Sequence, residues 1–341
     1  MTRPETDRLP LGQILVGDAA ARLAELPAAT VDCVITSPPY FALRDYGHPC
    51  QLGLERDVEG WVDDVVAVAG QVARVLKPTG AMWLNVGDSY SNHPSEGAAK
   101  KSLLLGPQRL AVALLNAGWR IRNQIIWAKT NSMPSSVTDR LSCSHEVMLL
   151  CVRSLHYYFD LDAIRVPLLT RQPRRPSTST HRYLPDDAIP AVGGIDDNLG
   201  LNGLKVAGRT GHPLGKNPGD VWQLSTACYR GAHFATFPLS LVEKPLLATC
   251  PERVCVACGL PWRRRPVDRR RRIAVVGDLH PACDCAAGTR AGVVLDPFMG
   301  AGTVALAAEL YGRQWLGIEL NPAFVRLAEH RLENWRQCNQ T

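Results

Sequence analysis

Short apolar runs alternate with stretches of helical period along the first 160 residues. Ile14–Val16, Val31–Thr36, Ala81–Val86, Ile121–Trp127 and Val147–Val152 have strand length and are mostly bounded by Gly, Asp or Pro. Between them, Val62, Val65, Val66, Ala69, Val72 and Leu76 recur at helical spacing until Pro78 and Gly80 stop the run, and Leu103 to Asn116 repeats the pattern before Gly118. Strands apolar on both faces and separated by helices predict an α/β fold with a parallel sheet. From Arg171 to Gly219 the periodicity lapses, and 14 of 49 residues are Gly or Pro, about twice ordinary usage. A stretch of this kind inside a compact protein reads as a functional or mobile insertion. The pattern resumes with a short helix over Leu239 to Leu247. After a segment rich in Cys and Arg over 250–290, strand, turn, helix, strand and helix follow from Val293 to Leu332.

Composition narrows the class. The chain has 341 residues, 46% of them hydrophobic and 21% charged, which suits one large or two ordinary globular domains. Met1 to Pro10 lacks an apolar leader core, and no apolar run approaches the ~18 residues of a membrane helix, so neither secretion nor membrane insertion is expected. The net charge is only +6, yet residues 161–290 hold 19 basic against 11 acidic residues while the first hundred hold 8 against 13. A basic middle between acidic or neutral flanks fits a polyanion partner. Eleven cysteines, an odd number, with no leader argue for a reducing, cytoplasmic setting rather than a disulfide framework.

Two motifs carry chemistry. Val293 to Thr303 reads as a strand entering a glycine-rich turn, where Gly300 and Gly302 let backbone approach a ligand at the carboxyl end of a strand. Glu319 ends the next strand about 20 residues later, where a carboxylate can accept from ribose hydroxyls of a nicotinamide, a flavin or S-adenosylmethionine. The second motif, Ser37-Pro38-Pro39-Tyr40, directly follows a strand. Two prolines stiffen the chain and remove two N–H donors, leaving an acceptor-rich lip beside an aromatic ring.

Ser37–Tyr40 together with Asp296–Thr303, in that order, resembles the permuted β group of DNA amino-methyltransferases. Gly17-Asp18, Leu84 to Asp88, Ile126 to Asn131 with Pro134, Arg140 and His145-Glu146, Gly219 to Trp222 and His233 to Pro238 match as well. The resemblance implies a Rossmann-like, S-adenosylmethionine-dependent enzyme with a mixed, mostly parallel sheet, acting on a base flipped out of double-stranded DNA. It implies catalysis by Ser37, Pro38, Pro39 and Tyr40. The cofactor would be held by Asp296, Phe298, Gly300, Gly302 and Thr303 around the methionine portion, by Glu319 on the ribose and by Asp18 on the adenine amino group. Serine at position 37 resembles the cytosine-N4 subgroup; aspartate there is typical of adenine-N6 enzymes, which remain the alternative. A protein or RNA amine methyltransferase and a non-catalytic, zinc-containing DNA-binding protein are the rivals. A homodimer and a cognate restriction enzyme are candidate partners.

Cys255, Cys258, Cys283 and Cys285 form a C-x2-C and C-x-C pair able to offer four thiolates to a structural zinc ion in a ribbon-like insertion, with Cys250 and His280 as spare ligands. Between the pairs, Arg263, Arg264, Arg265, Arg269, Arg270, Arg271 and Arg272 suit phosphate contact, as do Arg171, Arg174 and Arg175 in the long insertion. His48 to Gln51 contains the Pro-Cys-Gln sequence of cytosine-C5 enzymes. There the glycine turn precedes the cysteine, so Cys50 reads as structural here. The expected organisation is a catalytic half over 1–159, a target-recognition insertion over 160–218, a return to the core over 219–250, the Cys/Arg insertion over 251–290 and a cofactor-binding half over 291–341.

Overall fold

The computed structural model describes residues 9–167, 214–227, 236–264 and 277–339. In chain order the strands are β1 (Ile14–Val16), β2 (Val31–Thr36), β3 (Leu76–Val86), β4 (Arg120–Lys129), β5 (His145–Val152), β6 (Val221–Leu224), β7 (Val254–Cys255), β8 (Arg263–Arg264), β9 (Leu279–His280), β10 (Thr289–Arg290), β11 (Val293–Asp296) and β12 (Gln314–Glu319). The helices are α1 (Ala19–Glu25), α2 (Val58–Val75), α3 (Gly106–Asn116), α4 (Leu239–Thr249), α5 (Thr303–Leu310) and α6 (Pro322–Cys338).

Eight strands form one sheet in the order β1-β12-β11-β2-β3-β5-β4-β6. Every pairing is parallel except those of β5 with β3 and β4, so β5 alone of the eight runs backwards. The sheet is mixed and mostly parallel, as the resemblance implies, and the reversed β5 departs from the parallel sheet that the apolar runs alone predict. Alternation sends Val34, Leu84, Leu149 and Ile318 to one face under α1, α2 and α3, and Cys33, Ile35, Trp83 and Leu150 to the other under α4, α5 and α6.

The stop signal at Pro78 and Gly80 acts differently from the expectation. Helix α2 already ends at Val75, and β3 runs through both residues. The β2–β3 register shifts between Val31 and Cys33, an irregularity that accommodates a proline in a strand. At Gly80 a side chain would lie 2.6 Å from Leu76 and 2.9 Å from the Asp32 carbonyl, so only glycine fits the crossing. Asp32 itself is buried, accepts from Lys77 Nζ (2.6 Å) and from the Val293 amide (3.0 Å), and so ties β2, β3 and β11 together.

Two short ladders, β7 with β10 and β8 with β9, carry the cysteine-bearing segment. The described parts of 251–290 other than 277–278 belong to the unit that holds the sheet. A second unit is described at 161–167, 214–218 and 277–278, where Val166 bridges Lys216 and Arg165 pairs with Asp162.

Candidate active site

Because β5 is reversed, its first residues reach the same sheet edge as the carboxyl ends of β1, β2, β3, β4, β11 and β12. A cavity of about 840 Å³ opens there, lined by Asp18, the Ser37–Tyr40 loop, Asn85, Lys129, Glu146, Phe298, Gly300, Thr303 and Glu319 among others. Residues from both ends of the chain thus meet at one site, as ligand positions in open α/β sheets do.

On one side lies the glycine turn. Glu319 is 8% exposed, and its carboxylate accepts from the amides of Gly300 (2.8 Å) and Asn321 (2.8 Å). Burial raises its pKa, against the opposing pull of those two amides. Gly300 and Gly302 take positive φ of 51° and 75°. At Gly302 a side chain would sit 3.1 Å from the Ala328 Cβ of α6, so the turn packs closely against that helix. Arg331 of α6 braces the turn through the Ala301 carbonyl and Thr303 Oγ1, both at 2.9 Å. Asp296 ends β11 directly before the cavity-lining Pro297 and Phe298, at 1% exposure. One oxygen accepts from Thr36 Oγ1 (2.6 Å) and the Phe298 amide (3.0 Å), while Oδ2 is buried with no partner among the described residues. Burial pushes its pKa up to about 7. Asp18 is exposed and caps α1, with Oδ1 accepting from the Ala21 amide (2.8 Å).

Opposite lies the loop after β2. The Pro39 carbonyl accepts from Trp61 Nε1 (2.9 Å) in α2, which fixes the loop, whereas the Pro38 carbonyl has no protein donor among the described residues. Gly87 lies so close under the Tyr40 ring that a side chain there would be 2.7 Å from its Cε2. Tyr40 Oη donates to Glu146 Oε2 (2.7 Å) and accepts from Ser37 Oγ (3.0 Å) and Asn85 Nδ2 (2.7 Å). Lys129 pairs with the other Glu146 oxygen and lies 5.1 Å from the Trp127 ring. Asn85, Lys129 and Glu146 carry no role in the sequence reading, although each falls inside a stretch that matches the family.

Cys50 is exposed at the cavity rather than packed in the core. The sulfurs of Cys255, Cys258, Cys283 and Cys285 all lie within 4.8 Å of one another. Cys250, a spare ligand by its sequence position, caps the C-terminal end of α4, fully buried, and is not among that group. Arg264 is half-buried and donates to Asp160 (2.7 Å) and Glu252 (3.2 Å), so its charge is committed within the protein. Arg263 lies 5.8 Å from the Tyr158 ring. Arg171, Arg174, Arg175, Arg265, Arg269, Arg270, Arg271 and Arg272 lie outside the described residues.

A mostly parallel sheet that sets a glycine turn and a buried carboxylate across one cavity from a polar proline loop is the arrangement that the resemblance to permuted methyltransferases implies. The DNA methylase family model, N6_N4_Mtase, matches residues 31–330. The chain belongs to this family of DNA amino-methyltransferases. It is 33% identical to the type II methyltransferase M.XycI of Xanthomonas campestris pv. cyanopsidis over 97% of this chain and 91% of that one. It is 31% identical to M.Cfr9I of Citrobacter freundii over 93% and 86%. Among solved structures, the PvuII cytosine-N4-specific DNA methyltransferase superposes with a TM-score of 0.56 at 17% identity, covering 94% of this chain and 89% of that one, a likeness of fold.

Proposed function

We propose that the protein transfers a methyl group from S-adenosylmethionine to the exocyclic N4 amine of a cytosine flipped out of duplex DNA. The observation that carries this reading is the pairing of acceptors across the cavity from the glycine turn: the Pro38 carbonyl, without a donor among the described residues, and Ser37 Oγ with its hydrogen turned inward. An amine conjugated with its ring is a poor nucleophile. Two acceptors on its two hydrogens localise the nitrogen lone pair and aim it. S-adenosylmethionine supplies an electrophilic methyl when bound. The residues fit it in chemistry: Glu319 offers acceptor capacity to ribose hydroxyls, the buried Asp296 Oδ2, unpartnered among the described residues, suits a nearby cationic group, and Phe298 offers an apolar wall. Flipping costs a few kcal/mol, which stacking in the cavity and hydrogen bonds offset.

Cytosine is favoured over adenine by Ser37, the residue at the position where adenine enzymes of the family typically carry aspartate. Sequencing of modified bases in DNA from cells expressing the protein tests base and site together. N4-methylcytosine at a fixed site is expected, and N6-methyladenine would overturn the choice of base. The type II names of the relatives support a cognate restriction endonuclease, and 160–218 is the proposed target-recognition segment.

The four clustered thiols fit a structural zinc ion. A tetrahedral ion with bonds of about 2.3 Å sets sulfurs about 3.8 Å apart, compatible with the observed spacing, and four protein ligands leave no position open for water.

A further inference from the structure

Beneath the Ser37–Tyr40 loop runs a chain of polar side chains whose direction is fixed from its buried end. An ammonium and an amide nitrogen can only donate, and an ionised carboxylate can only accept. Glu146 accepts from Lys129 Nζ at one oxygen and from Asn85 Nδ2 (2.7 Å) and Tyr40 Oη (2.7 Å) at the other. Tyr40 has one hydroxyl hydrogen, and Glu146 takes it. Burial and the Glu146 charge hold the Tyr40 phenol well above its usual pKa, which keeps that hydrogen in place. The Tyr40 oxygen is then left to accept from Asn85 Nδ2 (2.7 Å) and Ser37 Oγ (3.0 Å). Ser37 in turn has a single hydrogen, directed inward, and only lone pairs remain for the cavity. The Asn85 amide cannot be turned round, because its carbonyl oxygen would then face Glu146 Oε2 at 2.7 Å, acceptor against acceptor.

We infer that Glu146, supported by Lys129 and Asn85, is a positioning and specificity-determining residue that acts through Tyr40 to hold Ser37 as an obligate acceptor, so that the site takes a base bearing an exocyclic amine and rejects its carbonyl analogue. This rests on the reading of Ser37 and Pro38 as the amine's partners. Uracil has nearly the shape of cytosine, and hypoxanthine that of adenine, so the pocket's outline separates them poorly. A carbonyl oxygen would instead meet two acceptors, the Pro38 oxygen and Ser37 Oγ, with no donor. Rejection by unpaired polar groups is stronger than rejection by shape. Glu146→Gln releases the constraint: its amide can donate to Tyr40, whose hydrogen is freed for Ser37, and Ser37 can then donate outward. Tyr40→Phe frees Ser37 directly by removing one hydroxyl.

The test uses the full-length protein and duplexes carrying its own site, found by modified-base sequencing, with either the natural target base or its carbonyl analogue at the target position. Binding constants for both duplexes, cofactor affinity and the single-turnover transfer rate are measured for wild type, Glu146→Gln, Glu146→Asp and Tyr40→Phe. Wild type should favour the amine by about tenfold or more. Glu146→Gln and Tyr40→Phe should erase most of that ratio and slow transfer while cofactor affinity holds, and Glu146→Asp should restore part of it. A wild type that does not distinguish the two duplexes overturns the proposal, and so do variants that lose rate or thermal stability but keep the wild-type ratio, since Glu146 would then be structural only. If Glu146→Gln does not fold, Tyr40→Phe reads the same ratio. Absence of methyl transfer by wild type to any exocyclic amine would instead overturn the underlying reading.

Discussion

The Gly17 amide donates to the Glu319 carbonyl across 2.9 Å, joining the end of β1 to the end of β12. One residue further on, Asp18 begins α1 at the rim of the cavity that Glu319 lines. The acid that ends the last strand therefore shares a pocket with the acid that follows the first, as required if both hold one cofactor.

Replacing Glu319 by Ala should weaken S-adenosylmethionine binding by roughly 1.5–3 kcal/mol, about ten- to a hundredfold, the range for hydrogen bonds to a charged acceptor. The Gly300 and Asn321 amides lose their acceptor in the same change, so the turn should loosen too. Calorimetric titration measures the affinity. An unaltered constant would place the ribose elsewhere.

At Gly87, a single methyl group should impair transfer without touching the cofactor. Alanine there meets Tyr40 Cε2 at 2.7 Å, and a ring tethered through its hydroxyl to Glu146 has little room to give. The rate of single-turnover methylation should fall by about tenfold or more, the equivalent of 1–3 kcal/mol of overpacking, while cofactor titration stays as in wild type.

Asp296 gives the cofactor-free protein a pH signature. Its folded pKa of about 7 lies above the ordinary carboxylate value of 3.8, chiefly through burial, so the folded state holds the proton more tightly than the unfolded chain. Its contribution is fully present below about pH 4 and lost as pH rises through about 7. Asp296→Asn can keep the bonds to Thr36 and Phe298 through its carbonyl oxygen while removing the titration. Urea midpoints measured across that window should show a slope in wild type that flattens in the variant.

Removal of Cys255 and Cys258 together should abolish bound zinc, which elemental analysis should otherwise find at one equivalent per chain. Chelation should lower the melting temperature of wild type and leave the double variant unchanged. A wild type without zinc, folded and fully active, would show that the four thiols need no ion.

The arginines should divide by partner. Arg264→Gln breaks half-buried pairs with Asp160 and Glu252 and should lower stability by about 3 kcal/mol or less, with the salt dependence of DNA binding unchanged. Replacing Arg269, Arg270, Arg271 and Arg272 by Ser should weaken DNA binding and flatten its salt dependence, because fewer counterions are released. Binding titrations over a range of salt separate the two outcomes.

The alternation of apolar runs determined an α/β fold, and the two motifs marked loops that meet at one cavity. Each is a local signal: strand burial on both faces, a proline pair after a strand, glycines after a strand with an acid one unit later. Local signals could not reveal that β5 runs backwards, yet that reversal delivers Glu146 to the Ser37–Tyr40 loop and gives Tyr40 its partner. Nor could they separate Arg264, committed to Asp160, from its neighbours in the arginine run, or show that Gly302 packs against Ala328. Hydrogen-bond direction and the space beside a glycine depend on residues brought together from distant parts of the chain, and only the packing of the sheet and its helices sets those distances.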